Sequence, residues 1–157
     1  MIVISNTTPI ISLCSANAHF ILKELFNEIH IPVAVNNELR TSEKYGFDFG
    51  NNSWVNIFEV KNRQSVNILL KDLDLGESEV IIGSLELKAK VTLIDENIGY
   101  NIAKFYKINV NRTLSLLKTA KELGIIKQVK PIVEEMINNG RWYSERLIKD
   151  FLSTVEE

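Results

Sequence analysis

Cysteine is almost missing from this chain: Cys14 stands alone among 157 residues. No intramolecular disulfide can form, which fits a reducing compartment. Cys14 follows Ile10-Ile11-Ser12-Leu13, so it reads as a buried small residue and not as a reactive thiol. An excess of one charge is missing too. The formal net charge is −2, so no global positive field draws in nucleic acid or an anionic membrane. No window approaches the roughly 18 apolar residues of a membrane span. The N-terminus has no basic segment leading into a long apolar run, so no signal peptide is expected. With seven glycines and three prolines, no linker, repeat or low-complexity segment stands out. The two histidines, His19 and His30, lack partners at metal-ligand spacing. A cytoplasmic protein is the expectation.

What is present is ordinary for a globular protein: 45% hydrophobic and 24% charged residues. The length suits one domain spanning 1–157, and a chain of this size buries roughly 70% of its unfolded surface. Short β-branched runs alternate with helical apolar spacing. Strands are expected at 1–5, 29–31, 54–60 (an edge strand), 91–94 and 108–110. Helices are expected at 10–16, 20–26, from Pro32 to about Thr41, at 65–70, 75–88, 101–106, 113–123, 131–138 and 145–154. Thr8 is read as the cap of the first helix with Pro9 in its opening turn. Ser144 caps the last helix. Gly46, Gly50, Asn51 and Asn52 mark 42–53 as a loop. The pattern implies an α/β/α sandwich around a mostly parallel sheet of four to five strands. The helices at about 131–155 complete its core or form an interface.

Four polar positions fall where strands end or helices begin: Asn6, Glu38, Glu77 and Asp95. A parallel sheet gathers its strand ends at one edge, the usual ligand crevice. Carboxylates crowded there repel, and a hard divalent cation relieves the repulsion. Glu77 is preferred to Glu79 as the inward acid, because Val80, Ile81 and Ser84 share its helical face; Glu79 is the alternative.

The ordered segments Val3-Ile4-Ser5-Asn6-Thr7-Thr8-Pro9, Ile31-Pro32-Val33-Ala34-Val35 with Glu38-Leu39, Leu75-Gly76-Glu77-Ser78-Glu79 and Thr92-Leu93-Ile94-Asp95-Glu96 resemble the PIN-domain nucleases. The resemblance is to the VapC-like toxin branch of toxin–antitoxin pairs, and it covers nearly the whole chain. It implies a metal-dependent endoribonuclease, with Asn6, Glu38, Glu77 and Asp95 as catalytic and metal-binding positions for Mg²⁺ or Mn²⁺. It places Thr7 and Thr8 at the substrate, with Asn111 and Thr113 completing the site. Arg112, after the last strand, is placed to contact a substrate phosphate, though arginine is more often a plain surface residue. The partners it implies are an RNA substrate and a small cognate antitoxin, and a homodimer is compatible with the apolar faces.

The family pattern has Asp where this chain has Asn6. An amide oxygen ligates Mg²⁺ without bringing charge. The alternative reading is therefore a catalytically attenuated module that binds RNA or protein. A receiver-like or phosphatase-like domain is disfavoured, since Asn6 cannot serve as its Asp nucleophile. Lys118, Lys121, Lys127 and Lys130 are read as a solvated face sooner than an RNA-binding strip. Trp54, Trp142 and Tyr143 are read as packing residues sooner than base-stacking ones.

Overall fold

The computed structural model describes residues 1–157. Five parallel strands lie in the order β3-β2-β1-β4-β5. They are β1 (Val3–Ser5), β2 (Ile29–Pro32), β3 (Val55–Phe58), β4 (Val91–Leu93) and β5 (Val110–Asn111). The helices are α1 (Thr7–Ser15), α2 (Phe20–Phe26), α3 (Val33–Arg40), α4 (Arg63–Leu69), α5 (Leu75–Glu86), α6 (Asn97–Phe105), α7 (Thr113–Glu122), α8 (Lys130–Asn138) and α9 (Glu145–Thr154). The α/β architecture expected from the alternating pattern is the one observed. No helix is long and apolar enough to cross a membrane.

Central strands of a parallel sheet are covered on both faces, which demands apolar residues in succession. Val3 and Ile4 in β1 meet that demand, and both are fully buried. The edge strand β3 is buried at Val55 and exposed at Asn56 and Ile57. One continuous apolar core of 31 buried residues takes in every strand, and it includes Val129, Val133, Met136 and Val155 from the C-terminal region. The last helix, α9, contributes no fully buried residue of its own. Cys14 is partly buried against the core, and burial pushes its thiol up to about 12, with Asp48 adding to the rise. It is inert at neutral pH.

Several expected boundaries shift by a few residues. α1 begins at Thr7 with Asn6, not Thr8, at its N-cap position. α6 begins at Asn97, four residues before the expected 101, because the chain turns into the helix directly after β4. β5 is Val110–Asn111, displaced from 108–110. The loop 42–53 holds one turn of 3-10 helix at Phe49–Asn51, and Phe49 is buried there. Trp54 packs edge-on against Phe49, with ring centroids 5.4 Å apart, so its expected packing role holds.

The strand order creates the crevice. After β1 the chain moves outward through β2 to β3, then crosses back to place β4 on the other side of β1. The order of strand addition therefore reverses between β1 and β4, while every strand stays parallel. In open α/β sheets ligands sit outside the strand ends at such a switch point. Ser5 pairs with Leu93, and the Asn6 N–H donates to the Leu93 carbonyl at 2.9 Å. Asn6 and the Asp95-Glu96 pair thus flank the switch point directly.

Candidate metal-binding edge

Four helices start where a strand has just ended. Asn6, Pro32, Glu96 and Arg112 are the N-cap residues of α1, α3, α6 and α7. The N-terminus of α5 reaches the same edge as that helix runs back towards β4. Helix N-termini carry partial positive charge and unpaired N–H groups. The acids at this edge are held chiefly by hydroxyls and backbone N–H groups; Asp95 alone has a cation, Arg112, close by.

Glu77 lies in the first turn of α5. Its backbone N–H donates to Asp74 Oδ1 at 2.8 Å, which caps the helix. Its side chain reaches the first turn of α6, where Gly99 leaves room: a Cβ there would stand 2.5 Å from Glu77 Oε2. Glu38 is arranged in the same way against α5. A Cβ on Gly76 would stand 2.3 Å from Glu38 Oε1. The Thr7 hydroxyl donates to Glu38 Oε2. On the other side of the switch point, Glu96 accepts from the Thr8 hydroxyl at 2.5 Å and from Asn6 Nδ2 at 3.4 Å.

Asn6, Thr7, Thr8, Glu38 and Glu77 therefore converge, joined by Asp74 and Glu96. The titration behaviour reflects the crowding. Burial is the main cause that raises Glu77 to about 7, with Asp74 and Glu96 adding repulsion. Glu38 is raised first by burial and then by the same two acids, against the opposing hydrogen bond from Thr7.

Asp95 takes a different position. Its Oδ1 accepts the Thr113 N–H at 2.8 Å and its Oδ2 accepts the Thr113 hydroxyl at 2.7 Å. Both oxygens thus face the start of α7, and each keeps one lone pair. Burial raises Asp95, while the Thr113 bonds pull the other way. Arg112 donates to the Asp95 carbonyl at 2.7 Å and lies over the Tyr100 ring, 4.0 Å from its centroid. Asn111, at the end of β5, is exposed.

Glu79 turns to other partners. It accepts the Ala34 N–H at the start of α3 at 3.1 Å and pairs with Arg63 at 3.0 Å. It is 4% exposed and ties α5 to α3 and α4. Lys121 donates to the Val155 carbonyl at 2.6 Å and to Glu157 at 2.9 Å, so it fastens the C-terminus and is not a freely solvated member of the expected lysine face.

Glu96 is the site acid that sequence reasoning passed over. Its signal was its place directly after Asp95. Successive residues in extended chain point to opposite sides. One acid of the pair turns to α7, and the other turns to α1. Asp74 was visible only as a helix start.

Residues 2–157 match the DUF3368 family, described as a PIN domain. The match covers nearly the full chain, and the chain belongs to this family of nuclease-type domains. No match is found among curated proteins.

PIN domains generally use divalent metals, and the donors here suit one. They are carboxylates and an amide, all hard oxygen donors of the kind Mg²⁺ and Mn²⁺ accept. The raised Glu77 and Glu38 carboxyls are repelling groups that a cation would relieve. As the side chains stand, no three acids already surround a common point, so loading an ion requires carboxylate rotation. The Glu38 and Glu77 carboxylates already lie against Gly76 and Gly99, where no side chain stands in their way. Alanine at either position sets a methyl 2.3–2.5 Å from a carboxylate oxygen, so the Glu38 or Glu77 side chain must swing aside while the backbone can stay. Each added methyl displaces a carboxylate, so Mn²⁺ affinity should fall at least about tenfold, as for lost ligand support. Calorimetric titration with Mn²⁺ checks this, and unchanged affinity in both variants would show that these glycines hold no ligand in place.

Proposed function

We propose that this protein is a metal-dependent endoribonuclease that acts as the toxin of a toxin–antitoxin pair. The carrying observation is the gathering of Glu38, Glu77 and Glu96 at the switch point of a PIN-domain chain, with Glu77 raised to about 7. In this reading Glu38, Glu77 and Asp95 hold Mg²⁺ or Mn²⁺ with the Asn6 amide oxygen. Glu96 supplies the charge that Asn6 lacks. When bound, the metal polarises a phosphodiester and lowers the pKa of a bound water. Thr7 keeps Glu38 directed into the crevice, and Thr113 orients Asp95. Thr8 holds Glu96, while Arg112 offers its remaining N–H groups to a phosphate.

A second reading has a specific support. The Asn6 amide spends one donor on Glu96, where an Asp would add charge. That arrangement suits an attenuated module that binds RNA or a protein partner. The test is cleavage of total RNA by the purified protein in Mg²⁺, in Mn²⁺ and in EDTA, beside Glu38→Gln. Metal-dependent cleavage that disappears in the variant is the expected result. Folded protein without cleavage in any condition would favour the binding module. The toxin role predicts growth arrest on expression, reversed by the product of a short adjacent gene. Cells growing normally while making active enzyme would refute that part alone.

A further inference from the structure

The surface changes character beside the acids. A depression of about 280 Å³ runs from Thr8 and Glu96 to Arg112, Arg141 and Trp142. It adjoins a second of about 390 Å³, which shares Arg112, Tyr143 and Leu147 and is floored by Leu114 and Phe151. Neither arginine is in an ion pair. Arg112 is fixed from two sides, by the Asp95 carbonyl and the Tyr100 ring.

Trp142 is 85% exposed, so it takes no part in the core, one of the two packing roles expected of it beside an interface. It is not on a loose segment. α8 ends in a Schellman turn: Arg141 N–H donates to the Met136 carbonyl at 2.9 Å and Gly140 N–H to the Ile137 carbonyl at 3.1 Å. Gly140 takes the required positive φ of 95°. On the other side Tyr143 is half-buried near Ser12 and Asp95, and burial pushes its phenol up to about 12. Ser144 then caps α9, accepting the Leu147 N–H at 3.1 Å. A large apolar ring is thus displayed to water on a backbone held at both ends.

A chain of net charge −2 has no global field to hold a nucleic acid. Backbone contacts must come from local, unpaired cations, and these two arginines border the acid edge. An exposed indole beside them is the platform on which unpaired bases stack. Bases in an A-form duplex are closed to such a ring. Resting on the ribonuclease reading, we propose that this groove carries a single-stranded RNA segment leaving the acid edge. Arg112 and Arg141 take its phosphates, and Trp142 stacks on an unpaired base. The floor of Leu114 and Phe151 receives its neighbour.

The test is binding of a short 2′-O-methyl oligoribonucleotide, which resists cleavage, to the full protein in Ca²⁺. Intrinsic fluorescence is the readout, since the other tryptophan, Trp54, is packed against Phe49. The oligonucleotide should quench Trp142 emission, and the matched duplex should bind more weakly. Trp142→Ala should bind roughly 5- to 100-fold more weakly and lose the quench, as for loss of one stacked base. Trp142→Phe should recover most of the affinity. Arg141→Gln should lower the slope of log affinity against log salt by about 1. Wild-type affinity in Trp142→Ala, or no quench on binding, overturns the proposal. The two readings fail separately. Quenching without cleavage of any RNA leaves the groove standing and removes the nuclease. Cleavage with an unchanged KM in Trp142→Ala does the reverse.

Discussion

Glu77→Gln is expected to give a protein that no longer cleaves RNA yet is more stable than the natural chain at pH 8 without metal. Glu77 is 9% exposed, and it reaches about 7 from an ordinary 4.5 through burial first and then through Asp74 and Glu96. The sign follows from linkage. The folded state holds the proton more tightly than the unfolded chain does. Stability from this group is therefore complete below about pH 4.5 and is lost as the pH rises to about 7. Above that the ionised carboxylate opposes folding by an amount on the order of 1–3 kcal/mol. Glutamine keeps the shape and removes the charge. At pH 8 its melting temperature should exceed the natural chain's by roughly 3–8 °C, given about 2–4 °C per kcal/mol at this size. Near pH 4.5 the difference should close. Cleavage should fall at least about 100-fold, since even groups that only support a metal ligand cost 10- to 100-fold when lost. Excess metal should stabilise the natural chain by about 2.7 kcal/mol at a hundred times Kd, and the variant far less. A variant that melts below the natural chain at pH 8, or keeps cleaving, would remove Glu77 from the site. Stability given up for function in this way is common at active sites.

Asn6→Asp should move stability in opposite directions with and without metal. Asn6 is 3% exposed, and its amide donates to Glu96 at 3.4 Å. An aspartate there has no proton to give and sets a second charge against Glu96. Two like charges about 4 Å apart repel by up to about 4 kcal/mol at an effective dielectric near 20. The same carboxylate gains about 0.3–1 kcal/mol at the start of α1, so repulsion wins. In EDTA the variant should melt below the natural chain. In saturating Mg²⁺ the order should reverse, because affinity rises with the number of charged ligands, and cleavage should rise with it. If Asn6→Asp instead melts higher in EDTA and shows no metal response, the Asn6–Glu96 contact has no part in metal binding.

Much of this was legible in one dimension. Ser144 announces its helix by local chemistry and caps it as expected, accepting the Leu147 N–H; Asp74, visible only as a helix start, caps α5 in the same way. The preference for Glu77 over Glu79 followed from helical phase alone, and Glu79 indeed turns away to Ala34 and Arg63. Such features depend on neighbours within one helical turn, where geometry is fixed by 3.6 residues per turn.

The rest depended on long-range packing. Nothing local says that β4 lies beside β1 and not beyond β3, yet that order makes the switch point and brings Glu96 to Asn6. The rotation of Asp95 towards Thr113 is decided by where β5 delivers the start of α7. Composition suggests burying a tryptophan, and Trp142 is exposed because turns on both sides hold it there. The sequence by itself determined the elements, most of their starts, and the acids Glu38, Glu77 and Asp95; the Asn6 cap and Glu96 were not among them. Only the tertiary structure decided which acids meet, because that depends on pairings between residues up to 90 positions apart.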